Sequence, residues 1–292
     1  MTAGSPVTSA LQVWQTAAGA SVAPPVSALA VHQRSWDELC CSKISLDLVE
    51  SAHDDKSKAR LKAVQQDTAG AWLEALPIAS VGLRLENEAV RTAVGLRLGL
   101  KLCEPHTCPC GSFVDSSGTH GLACRRSAGR HPRHGLLNDI VWRSMQRAQI
   151  PSAKEPNGLF RNDHKRPDGM SLIPWSRGRC VVWDVTAPDT LAPSHVQASA
   201  TNAGAAAAKA ETSKNAKYSS IATTHILIPL AFETFGAWGE QAQRFVSDLG
   251  KRVSAVTGDV RESMYLRQRL SLAIQRGNAL SLRGTMTMDK SD

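Results

Sequence analysis

The sequence predicts a mixed α/β fold of the α+β type, in which helices flank a central mixed sheet. Residues 134–148 carry apolar side chains at helical spacing. Three short strand-like segments follow, at 151–159, 166–173 and 179–186. An alanine-rich helix over about 196–218 and a strong β candidate at 225–233 complete the order α-β-β-β-α-β. A central sheet covered by helices is the simplest architecture for that order.

The ends of the chain carry further predicted elements. Residues 1–33 are rich in Ala, Ser, Val and Pro and are predicted to form a loosely ordered lead. Residues 34–102 are predicted to form a helical linker region, since 34–75 have helical apolar spacing and 85–101 form an amphipathic helix. Two closing helices are predicted near 238–256 and 259–277. The arginine-rich stretch of the second either binds a nucleic acid backbone or only forms a capped helix that ends at Gly277.

Composition favours a globular protein with a polyanionic partner. The chain has 292 residues, of which 42% are hydrophobic, so it can bury a sizeable core. Its formal charge is +8 and its pI about 9.3, which favours nucleic acid or another acidic surface as a partner. No apolar run approaches the roughly 18 residues of a membrane span. Residues 1–33 lack the pattern of a signal peptide, so we expect an intracellular protein.

A cluster of cysteines predicts a zinc knuckle over 103–130. Four of the seven cysteines lie within 103–124, and clustering in a reducing compartment favours a metal over disulfides. The spacing predicts a set of four Zn²⁺ ligands, namely Cys108, Cys110, His120 and Cys124. Cys103 and His106 are spare candidates, and a set of unrelated thiols is the alternative.

Basic residues follow the knuckle directly. A small zinc loop followed by arginines suits binding to phosphates, although a solvated basic loop is the alternative. The candidate nucleic-acid-binding residues are Arg125, Arg126, Arg130, Arg133 and His134, with Arg166 farther along the chain.

Two aspartates predict a divalent metal site. Arg166-Pro167-Asp168-Gly169 and Trp183-Asp184-Val185-Thr186 form the two sides of a predicted hairpin, so Asp168 and Asp184 can lie side by side on neighbouring strands. Adjacent carboxylates repel each other unless a cation neutralises them, and their oxygens suit Mg²⁺. The sequence therefore predicts a metal-dependent phosphodiester hydrolase. An ordinary turn with unrelated surface aspartates is the alternative.

Further charged residues are candidates for the same site. Lys214 and Lys217 share one face of the alanine-rich helix, from which a lysine could assist attack of water on a phosphate. Glu155, on the first predicted strand, could add a third carboxylate, and Asp139 lies on the preceding helix. A structural or solvated role is the alternative for each.

The combination of motifs resembles a known family. Besides the CCHC knuckle, the chain contains Arg133-His134, Asn138-Asp139 and the segments KEPNGL, KRPDG, WDVT and AETSKNAKY. It is similar, over roughly 70–285, to the C-terminal region of non-LTR retrotransposon polyproteins. There a zinc knuckle precedes a restriction-endonuclease-like PD-(D/E)xK core. The resemblance implies such a core over 131–292.

The resemblance also assigns roles. By this resemblance, Asp168 and Asp184 correspond to the acidic residues that bind Mg²⁺ or Mn²⁺. The usual position of the family's lysine, two residues after the second acid, is occupied here by Thr186. Lys214 on the following helix corresponds to that lysine, and Lys217 is the reserve candidate. The resemblance implies a DNA-nicking endonuclease located in the nucleus, with element RNA as a further partner. The chain contains no YxDD-type polymerase motif, so we expect a fragment or a stand-alone derivative. Two other functions stay open: an inactive nucleic-acid-binding remnant and a protein whose basic face binds an acidic protein.

Overall fold

A computed structural model describes residues 6–20, 33–159 and 166–286. The N-terminal part is helical. Its α-helices are α1 (Pro6–Ala18), α2 (Gln33–Glu50), α3 (Asp55–Val64) and α4 (Asn87–Leu98), with 3₁₀ turns at Asp67–Glu74 and Ala79–Val81. The predicted lead is therefore partly wrong, because 6–18 form a helix that packs on α2 through Trp14 and Trp36. Residues 1–5 and 21–32 lie outside the described part.

A small hairpin and a short helix link this region to the sheet. The hairpin consists of β1 (His106–Thr107) and β2 (Phe113–Val114), and helix α5 (His120–Ala123) follows it. The long helix α6 (Arg130–Arg147) then leads into the first strand of the main sheet. It places its apolar face, which includes Leu137, Val141 and Met145, in the core.

The main sheet has four strands in the spatial order β3-β4-β5-β6. They are β3 (Ser152–Lys154), β4 (Gly169–Ser171), β5 (Val181–Thr186) and β6 (Ile226–Ala231). β3, β4 and β5 are antiparallel neighbours, whereas β5 and β6 are parallel. The crossover from β5 to β6 contains helices α7 (Val196–Thr201) and α8 (Ala205–Lys217). The predicted mixed sheet is thus confirmed, with two helices in place of the single helix predicted before β6.

Both faces of the sheet are covered. Helices α6, α9 (Glu240–Thr257) and α10 (Glu262–Arg283) pack on one face around Trp183, Val185 and Leu230. The other face packs Val182 against Tyr218 and Ile221, on the side of α8. Because β5 is covered on both sides, five of its six residues are buried, which explains the apolar run Val181-Val182-Trp183 at its start.

Two predicted helix boundaries are wrong. The alanine-rich helix is not continuous, because Gly204, with φ +79°, separates α7 from α8. Helix α10 continues past Gly277 to Arg283. A Cβ at Gly277 would lie 2.5 Å from the Cβ of Arg133, so this glycine permits close contact between α6 and α10.

Helix α10 contacts all three regions that the sequence analysis treats separately. It contacts α4 of the helical region, α5 of the cysteine-rich segment, and both α6 and α9 beside the sheet. Among the described residues, no helix is both long and apolar enough to span a membrane.

Candidate metal-dependent active site

The two predicted aspartates lie opposite each other on neighbouring strands. Gly169 pairs with Trp183 in the antiparallel ladder, so the next position in the same register places Asp168 opposite Asp184. A Cβ at Gly169 would lie 2.0 Å from the Trp183 indole. The motif therefore needs glycine after the aspartate because the indole occupies the space of a side chain.

Glu155 adds a third carboxylate at the end of a third strand, and Asp168, Asp184 and Glu155 together are called the acidic row. Lys154 pairs with Gly169, and the backbone N–H of Glu155 donates to the carbonyl oxygen of Asp168 at 3.1 Å. Glu155 is exposed and has φ +46°, an uncommon conformation for a residue with a side chain. Three carboxylate residues thus lie at one end of β3, β4 and β5.

Asp184 is buried and has two partners on the alanine-rich helix. Its residue exposure is 3%, and its Oδ1 accepts a hydrogen bond from the Tyr218 hydroxyl at 3.0 Å. Its Oδ2 forms an ion pair with the ammonium group of Lys214. Burial and the nearby charge of Asp168 nevertheless raise the pKa of Asp184. A divalent cation would relieve both effects.

Asp168 is held by groups from the sheet and from α6. Its Oδ2 accepts a hydrogen bond of 2.6 Å from the backbone N–H of Val185 and lies 3.0 Å from Nε2 of His134. The Asn138 amide donates to the Asp168 carbonyl at 3.3 Å, while its own oxygen accepts from the Trp183 indole at 2.9 Å. The hydrogen bond to Asp168 raises the pKa of His134. His134 therefore belongs to the acidic site, a location that differs from its predicted place among the phosphate contacts.

The acidic row lines one open cavity of about 710 Å³. Thr186 and Tyr218 also line it. The basic residues at its wall are Arg130, His134, Arg166, Lys214 and Lys217. The structure therefore brings together every residue that the sequence predicts to be catalytic. Asp139 lies elsewhere and pairs with Arg143 and Lys154.

The predicted phosphate-binding arginines divide into two groups. Arg125, Arg126 and Arg130 are exposed, and Arg166 is exposed at the cavity, where its guanidinium contacts the Asn157 side chain at 3.0 Å. Arg133 is only 2% exposed and donates to Oδ1 of Asn278 at 2.9 Å. The prediction that Arg133 binds nucleic acid is therefore wrong, because a buried guanidinium cannot contact a phosphate.

The four predicted zinc ligands converge. One ligand atom from each of Cys108, Cys110, His120 and Cys124 lies within 4.8 Å of all the others, a cluster that could hold a metal ion and is compatible with zinc. Hydrogen bonds from Ser112 lower the pKa of Cys110 to about 6, whereas burial raises that of Cys108 to about 11.

The two spare candidates, Cys103 and His106, have other contacts. The thiol of Cys103 lies near the carbonyl oxygen of Asp115, at 3.4 Å. The His106 ring contacts the carbonyl oxygen of Glu104 and, at 3.0 Å, the hydroxyl of Thr285. The sequence-based ligand set therefore needs no replacement.

Sequence reasoning missed two contacts of the acidic site. Tyr218 follows Lys214 by one helical turn, so both side chains can reach Asp184, and this spacing is visible in the sequence. No local signal indicates the contact between His134 and Asp168, because it depends on the packing of α6 against the sheet.

Comparison with models of known protein families gives no match for this chain. Comparison with curated proteins gives no significant match either.

Proposed function

We propose that this protein is a metal-dependent endonuclease that nicks DNA. The observation that carries the proposal is the convergence of Asp168, Asp184 and Lys214 on one cavity, with Lys214 in contact with Asp184. The two aspartates on adjacent strands supply ligands for a metal ion, and the ammonium group on the helix supplies a positive charge next to them. Phosphodiester hydrolysis needs both. The closeness of all three groups to one another argues against unrelated surface charges.

The donor set fits Mg²⁺ or Mn²⁺. Asp168 and Asp184 would hold the ion, and Glu155 faces the same cavity as a third source of carboxylate oxygen. Hard oxygen donors with room for water are the environment that Mg²⁺ prefers. When bound, such an ion supplies a Lewis acid that lowers the pKa of water and offsets negative charge on the phosphate.

The side chains around the acids have distinct roles in the proposal. Lys214 orients the attacking water and stabilises charge that develops on the phosphate. Tyr218 and His134 hold the carboxylates of Asp184 and Asp168 through hydrogen bonds. Attack of water on phosphorus and departure of the 3′ oxygen give a 3′-hydroxyl and a 5′-phosphate. A 3′-hydroxyl is the product that can prime DNA synthesis, the role that the resemblance implies.

The charge around the cavity favours a nucleic acid backbone as the substrate. Arg130, Arg166 and Lys217 line the same cavity as the acids, and Arg125 and Arg126 are exposed beyond it. Such groups bind phosphates whatever the base sequence, so affinity should fall steeply with salt. The charge thus supports DNA as the partner, while the resemblance adds to the proposal a restriction-endonuclease-like core, a retrotransposon origin and a nuclear location.

Plasmid nicking tests the proposal. The wild-type protein with Mg²⁺ should convert supercoiled plasmid to the open-circular form. Asp168→Asn and Asp184→Asn should each lower the rate by at least about a hundredfold, since each removes a proposed ligand. Asp139→Asn is the matched control, because this carboxylate pairs with Arg143 and Lys154 away from the cavity.

The outcomes separate the proposal from its competitors. Equal nicking by wild type and both aspartate variants would reject the catalytic assignment. Salt-sensitive binding to DNA without any nicking would favour the binding remnant, which needs only the zinc cluster and the basic surface. Absence of DNA binding would favour an acidic protein as the partner.

A further inference from the structure

Helix α8, which carries Lys214, lacks large apolar side chains. Its sequence is AAAAKAETSKNAK, and its buried residues are Ala206, Ala207 and Glu211. Burial of an alanine removes little apolar area from water, so hydrophobic packing alone fixes the position of this helix weakly. The position of α8, and with it that of Lys214, therefore depends mainly on the polar contacts of this helix.

The first of these contacts is at the N-terminus of α8. Oε1 of Glu233 accepts a hydrogen bond from the backbone N–H of Ala207 at 2.9 Å, and Oε2 accepts one from the Thr190 hydroxyl at 2.8 Å. Glu233 is fully buried. A carboxylate at this place satisfies an N–H group of the first helical turn, which has no partner within the helix. Glu233 thus links α8 to the loops that follow β5 and β6.

The second contact runs from α8 to α9. Oε1 of Glu211 accepts hydrogen bonds from the backbone N–H groups of Gln241 and Ala242, at 3.1 and 3.2 Å. These residues belong to the first turn of α9, a helix fixed in the core by Phe245 and Leu249. A Cβ at Gly239 would lie 2.0 Å from the same carboxylate oxygen, so glycine leaves room for it.

These contacts and the active-site contacts share one face of α8. Ala207, Glu211, Lys214 and Tyr218 follow one another at helical intervals of four, three and four, so they form a single stripe. Ala207 and Glu211 are attached to neighbouring carboxylate and amide groups, and Lys214 and Tyr218 both contact Asp184. A rotation or shift of α8 would therefore move Lys214 away from Asp184.

We propose that Glu211 and Glu233 are positioning residues, which hold α8 so that Lys214 reaches Asp184. This proposal rests on the proposed endonuclease function, because only that function gives Lys214 a catalytic role. Neither glutamate is among the residues that line the cavity of the acidic site. Both carboxyl groups are buried, and burial raises the pKa of each. Their desolvation is offset by the N–H and O–H groups that they accept from.

Steady-state nicking kinetics form the first test. Glu211→Ala and Glu233→Ala should lower kcat by about tenfold to a hundredfold with little change in KM, since displacement of a catalytic group by about 1 Å has this effect. Glu211→Gln and Glu233→Gln keep an acceptor oxygen and should restore kcat to within about threefold of wild type. Gln268→Ala on α10 is the control for lost stability, because it removes a hydrogen bond to the Glu74 carbonyl oxygen, and it should leave kcat unchanged.

A double variant that combines Glu211→Ala with Lys214→Ala distinguishes positioning of Lys214 from a general contribution of Glu211 to stability. If Glu211 acts through Lys214, Glu211→Ala should have no further effect on the residual kcat of Lys214→Ala. Full additivity of the two losses would overturn the proposal. Loss of kcat in Gln268→Ala to the same extent as in Glu211→Ala would overturn it as well.

A labelling measurement keeps the inference testable if the protein does not nick DNA. Acetylation of each lysine is followed by mass spectrometry, with Lys209 on the same helix as the internal reference. In Glu211→Ala the ratio of Lys214 to Lys209 labelling should rise by about threefold, the factor expected when a weak ion pair is lost. An unchanged ratio would overturn the positioning role, whereas a raised ratio in a protein without nicking activity would reject only the endonuclease function.

Discussion

Lys214 reaches Asp184 from helix α8, although Asp184 itself lies on strand β5. The position two residues after Asp184 is Thr186, which also lines the cavity. The crossover between β5 and β6 packs α8 on β6, the strand that pairs with β5, and the ammonium group of Lys214 meets the carboxylate of Asp184.

Removal of the Lys214 ammonium group should slow cleavage without removing DNA binding. We expect Lys214→Met to lower kcat by about a hundredfold to a thousandfold, because a group that stabilises developing charge is lost. Lys209→Met is the matched control, since Lys209 contacts the Ser194 carbonyl outside the cavity. A kcat for Lys214→Met close to that of the control would contradict the assigned role.

The contact between His134 and Asp168 should make stability depend on pH. This hydrogen bond raises the pKa of His134, so the folded state favours the protonated ring. The contribution of this hydrogen bond to the free energy of unfolding is fully present below the ordinary histidine pKa of about 6.5. It is lost as the pH rises through the raised pKa of His134 in the folded state. The Tm difference between wild type and His134→Ala should therefore be larger near pH 6 than near pH 8.

The matched control for the histidine is His131→Ala, at an exposed position of the same helix. A Tm difference for His134→Ala that grows with rising pH would contradict the prediction. Excess Mg²⁺ should narrow the difference, because a cation at Asp168 competes with the protonated imidazole for the same carboxylate.

Substitution of Gly169 should damage both stability and activity. An alanine Cβ would overlap the Trp183 indole, and such overpacking costs about 1–3 kcal/mol. Since that indole also holds Asn138 beside Asp168, nicking should slow as well. Thermal unfolding and plasmid nicking measure the two effects.

Gly135 is the control glycine. It lies in α6, where an added Cβ would meet none of the described atoms of other elements within 4 Å, so Gly135→Ala should stabilise the helix by up to about 1 kcal/mol. A Tm for Gly169→Ala at or above that of wild type would show that the indole adapts at little cost.

Purified protein should contain one equivalent of Zn²⁺. The cysteine-rich segment packs on α10, where a Cβ at Gly121 would lie 2.6 Å from the Ser281 carbonyl oxygen. Chelation, or Cys124→Ser, should therefore lower Tm by at least about 5 °C, given that each kcal/mol shifts Tm by roughly 2–4 °C. Cys41→Ser, at an exposed cysteine outside the cluster, should retain the metal. Full stability of metal-free protein would contradict a structural zinc site.

Arginines at the cavity and in the core should respond differently to substitution. Arg130→Gln and Arg166→Gln should each reduce the slope of log K against log salt for duplex DNA by about 0.9, the value for one phosphate contact. Arg133→Gln should leave the slope unchanged and lower Tm, because this side chain is buried against Asn278. A reduced slope in Arg133→Gln would contradict the conclusion that this arginine makes no phosphate contact.

Several features were predictable because their signal is local. The spacing of Cys108, Cys110, His120 and Cys124 is compact, so four ligands within a short segment can meet without help from distant elements. The order of strands and helices followed from side-chain periodicity. The hairpin between Asp168 and Asp184 needed only neighbouring antiparallel strands.

Other features were not predictable because they depend on contacts between distant segments. Burial of Arg133 follows from the close approach of α6 and α10 at Gly277, which no pattern near Arg133 indicates. The contact of Glu211 with α9 requires the position of a helix that comes after the next strand.

By itself, the sequence determined which chemical groups are available and which of them share a helix face or a hairpin, because periodicity and spacing operate within one element. Tertiary structure decided which of those groups meet. It placed His134 on Asp168, removed Arg133 from the surface and brought Lys214 to Asp184. The physical reason is that these contacts are set by the packing of whole helices on the sheet, a property of many residues together.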